Sequence, residues 1–180
     1  MIEREWKGLI NKEQYEKLLK KINWDKEIRM NNYYYMDSKF ILEDENICVR
    51  VREIDEKKVL QIKRGIASSE NIFLSEEREI NIENIPELLE EAIINREFGL
   101  NIHDLKLIGF LQTTRMVKME NGNEFCLDKC DYLGMTDYEL EIEFVEGASF
   151  PLFWGIYNDN GVRNKSKFVR FLEVLKKCNA

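Results

Sequence analysis

The chain has 180 residues, of which 44% are hydrophobic and 34% charged, so it can form a domain with a substantial core and is not disordered. Its formal net charge of −7 argues against tight binding to duplex nucleic acid, because proteins that neutralise a phosphate backbone usually carry a basic surplus. No apolar run approaches the ~20 residues of a membrane span, and the start MIEREWKGLI carries charges where a signal peptide has its apolar stretch. We therefore expect a cytoplasmic protein whose partners include neither nucleic acid nor a membrane.

The four cysteines predict reduced thiols and no zinc site. They are Cys48, Cys126, Cys130 and Cys178, which form no CxxC pair. A zinc site needs four well-spaced ligands, whereas here one closely spaced cysteine pair has only the distant His103 as a further candidate. We expect His103 to lie at the surface in a loop.

We expect residues 1–180 to form a single domain, because no repeat, low-complexity tract or flexible linker interrupts them. Three segments have the apolar spacing of helices: 12–22, 86–98 and 166–177. The first follows a candidate cap, Asn11, with Gln14 three positions on. The second begins at Pro86, near its first turn, and ends at Gly99.

Between the helices, at least seven alternating stretches predict strands. Charged or polar side chains alternate with apolar ones most clearly in 2–7, 47–52, 59–63, 124–128 and 139–144. On their polar faces, acidic residues predominate in 2–7, 124–128 and 139–144, whereas the basic residues Arg50, Arg52 and Lys63 lie in 47–52 and 59–63. An antiparallel sheet with one solvated face would show the same alternation, but such a face more often mixes both signs along each strand. The segregation favours a sheet that curls into a barrel with a charged interior and helices outside.

Charged side chains also remain as the candidate chemistry once familiar motifs are excluded. The chain has no GxxxxGK[ST], GxGxxG, HExxH or GxSxG, and its single histidine leaves no ordinary catalytic triad. Carboxylates suit hard divalent cations, and guanidinium groups bind phosphate oxygens in a bidentate fork. Because phosphoryl transfer needs little beyond positioning and charge neutralisation, a charged bore suits a metal and a polyphosphate.

A family resemblance rests on the order of short motifs along the chain. Glu3-Arg-Glu5-Trp-Lys7 looks like the ExExK signature of the CYTH superfamily, the triphosphate tunnel metalloenzymes. Further matches follow in the family's order: NNYYYMDS (31–38), ICVRVRE (47–53), LQIKRG (60–65), GFLQTTR (109–115), Leu127-Asp128, YELEIEF (138–144) and SKFVRFL (166–172). Each motif alone is weak, but together they span almost the whole chain. TTR and DYELEIEF look closest to the bacterial single-domain branch.

The resemblance implies both a fold and an activity. The fold is α+β, an eight-stranded antiparallel β-barrel (the triphosphate tunnel) with a polar interior and flanking helices. Family members bind a triphosphate with one or two Mg²⁺ or Mn²⁺ ions and typically hydrolyse inorganic triphosphate, thiamine triphosphate or nucleoside triphosphates. For this chain a metal-dependent triphosphatase is the leading interpretation. A class IV-type adenylate cyclase and a non-catalytic binder of triphosphorylated metabolites are the alternatives, and the protein is expected to be a monomer or a homodimer.

The matched motifs also imply site residues. The metal ligands are expected to be Glu3, Glu5, Asp128, Glu139, Glu141 and Glu143, with Glu79 a weaker match. The triphosphate-binding bases are expected to be Lys7, Arg50, Arg52, Lys63, Arg115 and Lys167, with Lys165 as the alternative to Lys167. The expected catalytic group is Glu5, Lys7, Arg52 and Arg115. Two positions depart from the family pattern: Ser38 replaces the usual threonine, and Thr113 replaces a lysine found in many relatives.

Overall fold

The strands of this chain close into an antiparallel barrel. A computed structural model describes residues 1–69, 72–145 and 165–178, and the rest of the predicted domain 1–180 lies outside the described residues. Within the described ranges the elements are β1 (Ile2–Ile10), α1 (Lys12–Lys21), β2 (Lys26–Met36), α2 (Ile41–Asp44), β3 (Ile47–Ile54), β4 (Lys57–Ser69), β5 (Ile72–Ile82), α3 (Glu91–Phe98), β6 (Lys106–Glu120), β7 (Asn123–Tyr132), β8 (Met135–Glu143) and α4 (Lys167–Cys178). The strand order around the barrel is β1-β5-β4-β3-β2-β6-β7-β8. This closed barrel confirms the predicted fold class and excludes the open sheet.

The alternation along each strand sends charged side chains inward. On β1, Glu5 lies opposite Glu143 of β8, and Lys7 lies opposite Glu141. Trp6, between Glu5 and Lys7, points the other way because successive side chains of a strand alternate. It is buried in an apolar cluster formed by the outer faces of β1, β7 and β8 with α1.

A larger apolar core covers the rest of the barrel. Val49 and Val51 of β3 and Leu60 of β4 are fully buried in it, together with Ile94 of α3 and Phe171 of α4. Burial of this outer apolar surface, at about 25 cal/mol per Å², stabilises the fold. The interior of the barrel is left mainly to polar side chains, with a few apolar ones such as Met30 and Ile54.

The helices α1 and α4 agree with their predictions. The Asn11 side chain accepts a hydrogen bond from the backbone N–H of Gln14 at 2.8 Å, and the Gln14 side chain accepts one from the N–H of Asn11 at 2.9 Å. This reciprocal capping box starts α1. α4 starts at Lys167, one residue after its predicted start. None of the helices in the described ranges is long and apolar enough to cross a membrane.

The predicted start of the helix 86–98 is wrong. α3 begins at Glu91, and the residues before it are drawn into a sheet-like contact, in which the backbone N–H of Leu89 donates to the carbonyl of Leu105 at 2.9 Å. Backbone groups used in this contact cannot close a helical turn, and apolar spacing alone does not reveal such competition. The predicted end is correct, because Gly99 adopts a left-handed conformation (φ 67°) just after the last turn.

The helix α4 lies against one end of the barrel. The rings of Phe168 and Phe171 each lie 5.1 Å, centroid to centroid, from the ring of Tyr34 on β2. Gly109 on β6 allows this approach, because a Cβ there would lie 2.9 Å from the Phe171 ring. The packing brings Lys167, next to Phe168, to the interior of the barrel.

The remaining sequence predictions concern the cysteines and the histidine. All four cysteines are free thiols. His103 lies in a loop with its side chain 58% exposed, and its Nδ1 is 2.7 Å from a carboxylate oxygen of Glu91. The predictions of free thiols and of an exposed His103 in a loop are confirmed.

Candidate functional site

The barrel encloses a cavity of about 300 Å³, the charged cavity, which is lined by all eight strands and by α4. Of the described residues that line it, six are acidic and six are basic. The acids are Glu3, Glu5, Glu77, Glu124, Glu141 and Glu143, and the bases are Lys7, Arg50, Arg52, Lys63, Arg115 and Lys167. Its volume is at the lower end of the range for small-molecule sites. Since the two signs balance, the formal charges of these described residues sum to zero.

One group of charges joins β1 to β4. The ammonium of Lys7 lies 2.6 Å from Oε1 of Glu5, and that of Lys63 lies 3.0 Å from the same oxygen and 2.5 Å from Oε2 of Glu3. Burial alone would raise the pKa of Glu5, but Lys7 and Lys63 outweigh it and lower this pKa to about 2. Glu5 is therefore held as a carboxylate between two bases.

A second group is centred on Arg115 and Lys167. Arg115 donates to both oxygens of the fully buried Asp128, at 2.8 Å each, and also donates to Glu141. The ammonium of Lys167 lies 2.8 Å from Glu141, 2.9 Å from Asp128 and 3.1 Å from Glu139. Burial would raise the pKa of Glu141, but Lys167 and Arg115 hold it well below its ordinary value. Three buried carboxylates thus share two bases.

Arg170, which the sequence interpretation did not single out, secures this second group from behind. Its guanidinium donates to Oε2 of Glu139 at 2.7 Å, to Asp137 at 2.9 Å and to the backbone carbonyl of Lys165 at 2.7 Å. Arg170 lies one helical turn after Lys167, so both side chains leave the same face of α4. That i, i+3 spacing was the available sequence signal. The other oxygen of Glu139, Oε1, is buried without a hydrogen-bond partner among the described residues.

The two arginines of β3 differ in whether a carboxylate neutralises their charge. Arg50 donates to Gln61 at 2.9 Å and to Glu77 at 3.3 Å. Arg52 donates to the neutral Asn32 at 3.0 Å, and no carboxylate of the described residues lies within ion-pair distance of it. Burial, Arg50 and a further arginine across the barrel lower the pKa of Arg52 to about 10. Arg52 is therefore a positive charge without an acidic partner among the described residues, and an anion bound in the charged cavity would stabilise it.

The carboxylates of β1 and β8 provide the oxygen ligands that Mg²⁺ and Mn²⁺ prefer. Burial raises the pKa of Glu143 to about 7; Arg115 opposes this shift, whereas the like charges of Glu3 and Glu141 add to it. In the described part of the chain, no three acidic, histidine or cysteine side chains are gathered closely enough to hold an ion. Bases such as Lys7 lie between the carboxylates instead. The ligand chemistry fits a divalent cation, provided that the bases turn to another partner.

Most of the predicted site residues meet in the charged cavity. Those that line it are Glu3, Glu5, Lys7, Arg50, Arg52, Lys63, Arg115, Glu141, Glu143 and Lys167. Asp128 and Glu139 lie directly behind it, fully buried and bonded to its bases. Glu79 and Lys165 are not among its lining residues: Glu79 is exposed and accepts a hydrogen bond from β4 at 2.8 Å, and Lys165 forms an exposed ion pair with α4.

Two acids that line the cavity were missed, for different reasons. Glu77 on β5 sits between Glu76 and Arg78, so charge on both faces of the strand hid the alternation that marks the inner face. Glu124 lies in the stretch 124–128, whose alternation already placed it on the inner face. It was not an expected site residue because it lies outside the matched family motifs. Thr113, which replaces the lysine of many relatives, lines the cavity and is 1% exposed, so it contributes a neutral patch to the wall.

A closed antiparallel barrel whose interior carries equal numbers of described acidic and basic side chains has the fold of the triphosphate tunnel proteins, the class that the sequence motifs resemble. A family model of the CYTH domain matches residues 1–153. The chain therefore belongs to the CYTH domain family. A curated relative, the proposed triphosphatase YjbK of Bacillus subtilis (strain 168), is 24% identical over 186 aligned positions, which cover 98% of this chain and 97% of that protein.

Two solved structures share the fold. A proposed adenylate cyclase of Bacillus halodurans aligns over 93% of this chain and 95% of its own, with a TM-score of 0.72 and 24% identity. HpAC1 of Hippeastrum, described as a proposed adenylyl cyclase with a dominant triphosphatase activity, aligns over 80% of each chain, with a TM-score of 0.65 and 20% identity. At these identities the likeness establishes the fold of the chain.

Proposed function

We propose that the protein is a metal-dependent triphosphatase that removes the terminal phosphate of inorganic triphosphate or of a small organic triphosphate, such as thiamine triphosphate or a nucleoside triphosphate. The uncompensated guanidinium of Arg52, inside a cavity whose opposite wall is a row of carboxylates, is the observation that carries this proposal. The activities named for YjbK and HpAC1 support it.

The basic wall has the chemistry for phosphate. Arg50 and Arg52 are two residues apart on one strand, so both guanidinium groups point into the charged cavity. Planar guanidinium forks bind phosphate oxygens in pairs, and Arg52 can do so without giving up a carboxylate. In the proposed complex these arginines bind phosphate oxygens of the substrate, and Lys63 is near enough to join them.

The balance of charge argues for a cation alongside the anion. A triphosphate carries several negative charges, whereas the described residues that line the charged cavity have no formal net charge to offset them. We propose that Glu3, Glu5, Glu141 and Glu143 hold a divalent cation, Mg²⁺ or Mn²⁺, which would supply charge neutralisation and polarise phosphate oxygens. Lys7 and Lys63 would then turn from the carboxylates to the phosphates.

The same groups would promote hydrolysis. Attack on the terminal phosphorus requires a water molecule in line with the leaving oxygen. A carboxylate oxygen of the acidic wall accepts a hydrogen bond from that water and orients it. Lys7, Arg52 and Arg115 stabilise the negative charge that develops on the leaving phosphate, an effect that is strong where bulk water is excluded.

A phosphate-release screen tests the proposal. Inorganic triphosphate, thiamine triphosphate and ATP are each assayed with Mg²⁺, with Mn²⁺ and with EDTA. We expect orthophosphate release from at least one substrate, only in the presence of a divalent cation. Cyclic AMP and pyrophosphate from ATP would identify a cyclase instead, and binding without turnover would identify a non-catalytic binder.

Matched variants test the site. Glu5→Gln and Arg52→Gln should abolish phosphate release while circular dichroism shows a retained fold. The controls Glu79→Gln and Arg78→Gln change the same residue types at exposed positions outside the charged cavity and should keep full activity. Full activity in both cavity variants would show that the site is wrongly assigned.

A further inference from the structure

A second cavity of about 510 Å³, the apolar cavity, adjoins the charged one at the end of the barrel where α4 begins. The two cavities share the lining residues Glu5, Lys7, Cys48, Lys63, Ser166 and Phe168. They are therefore neighbouring compartments that have these side chains as a common wall. A molecule that binds with one part in the charged cavity can place another part in the apolar one.

The wall of the apolar cavity suits an uncharged group. Beyond the shared residues it is mostly aliphatic or aromatic, with Ile47, Phe73 and Leu172 from β3, β5 and α4. Its two further charged residues already have partners: Glu43 lies 2.7 Å from the ammonium of Lys176, and Lys165 pairs with a glutamate of α4. This wall offers no unpaired base among the described residues for another phosphate.

An aromatic ring of the apolar cavity, that of Phe73, lies beside Lys7, which lines both cavities. Phe73 lies opposite Glu5 in the β1–β5 register, and the ammonium of Lys7 sits 4.8 Å from the centroid of its ring. Lys7 is one of the bases assigned above to phosphate. A flat group attached to a phosphate at Lys7 would therefore meet the Phe73 ring, and stacking of aromatic rings is favourable.

We infer that the apolar cavity binds the organic group of the substrate, and that the substrate is an organic triphosphate bearing an aromatic ring. This inference rests on the proposed function for the phosphate end of the molecule. Inorganic triphosphate would occupy the charged cavity alone and would leave the apolar wall in contact with water. An organic group placed there buries apolar surface on both sides, which is favourable in proportion to area.

Binding of diphosphates tests the inference without any turnover. Titration calorimetry in the presence of Mg²⁺ compares thiamine diphosphate and ADP with inorganic pyrophosphate. We expect at least one organic diphosphate to bind about tenfold or more tightly than pyrophosphate, because apolar contacts of this kind discriminate by such factors. If both organic diphosphates bind no more tightly than pyrophosphate, the inference is wrong.

Variants locate the effect. Ala67 lines the apolar cavity but not the charged one, so Ala67→Leu should remove the advantage of the organic diphosphate and leave pyrophosphate binding unchanged. Ala92→Leu on the exposed face of α3 makes the same change elsewhere and should behave as the wild type. Phe73→Leu keeps apolar volume but removes the ring, and should weaken the organic diphosphate more than pyrophosphate. An advantage that survives both cavity variants would overturn the inference.

The two proposals fail in different ways. If no triphosphate releases phosphate, the proposed function fails, while the diphosphate comparison still decides whether the apolar cavity binds an organic group. If inorganic triphosphate is hydrolysed and pyrophosphate binds as tightly as both organic diphosphates, only the inference fails.

Discussion

Replacement of Arg52 by methionine should stabilise the ligand-free protein and at the same time destroy triphosphate binding. The pKa of Arg52 is lowered from 12.5 to about 10, because burial, Arg50 and Arg115 all disfavour its charged form. That difference corresponds to at most about 3 kcal/mol of unfavourable free energy for the charged form in the folded protein. This cost is fully present at neutral pH and is relieved only as the pH rises through about 10 towards the unfolded value.

The variant also loses a favourable contact. The hydrogen bond from Arg52 to Asn32, 3.0 Å long, contributes about 1 kcal/mol, the usual net value for such a bond. The expected gain is therefore about 1–2 kcal/mol in the free energy of unfolding, which raises Tm by roughly 2–8 °C for a chain of this size. Differential scanning calorimetry without ligand measures this gain.

Arg50→Met is the matched control, because it makes the same change two residues earlier on the same strand. Arg50 has a carboxylate partner, Glu77, at 3.3 Å, and its removal leaves that carboxylate unpaired. We expect a loss of about 1–3 kcal/mol, the usual cost of a buried group without its partner. The two variants should thus change stability in opposite directions, although both weaken triphosphate binding.

Calorimetric scans with and without ligand together test whether Arg52 is an anion-binding charge without an acidic partner. Inorganic triphosphate with Mg²⁺ should raise the Tm of the wild type, since a ligand that binds only the folded state stabilises it. The Arg52→Met variant should show no such rise. If that variant is less stable than the wild type, or if triphosphate still raises its Tm by the wild-type amount, then Arg52 is not an uncompensated anion-binding charge.

Three further substitutions have expected effects on stability. Arg170→Leu should lower the free energy of unfolding in urea by about 3 kcal/mol, because it removes the guanidinium from Asp137 and from the fully buried Glu139, which keeps the Lys167 ammonium at 3.1 Å; a loss below 1 kcal/mol would contradict the described pairing. Gly109→Ala should lower it by about 1–3 kcal/mol, because the added Cβ meets the Phe171 ring at 2.9 Å and the backbone has φ 138°, so an unchanged urea midpoint would argue against the placement of α4. Asn11→Ala should lower it by about 1 kcal/mol through loss of the capping box, with titration calorimetry showing unchanged triphosphate binding.

The sequence contains enough information to predict a residue pair across the β6–β7 hairpin, although that pair was not among the sequence predictions. Asn121-Gly122 is a strong hairpin signal, and both residues have positive φ in the structure. Equal numbers of residues lead outward from this turn to Arg115 and to Asp128, which are in register on β6 and β7. The turn and the alternation together therefore contained the Arg115–Asp128 pair. Neither signal specifies the pair by itself.

Contacts that depend on barrel closure were not predictable in this way. Lys63 of β4 donates hydrogen bonds to Glu3 and Glu5 of β1, which are 60 and 58 residues away in sequence. These contacts cross the strand β5, which lies between β1 and β4 in the barrel. No local signal specifies which strands become neighbours when the barrel closes. The alternation placed Lys63 on the charged face, and the structure added its partners. The same limit applies to Glu139 and Arg170, which meet only because α4 returns to the end of the barrel.

Closure also explains how an apolar-outside barrel tolerates so much charge inside. Isolated buried charges would cost several kcal/mol each, but the six acids and six bases that line the charged cavity compensate one another, as in the Lys7–Glu5 pair at 2.6 Å. A metal and a triphosphate entering together would exchange these internal pairs for carboxylate–cation and base–phosphate pairs, and the cation would offset part of the negative charge that the triphosphate brings. Arg52 is the exception, since its hydrogen bond goes to the neutral Asn32 and no carboxylate in the described ranges lies within ion-pair distance of it. Binding should therefore depend on Arg52 more than on any base that must first leave a carboxylate.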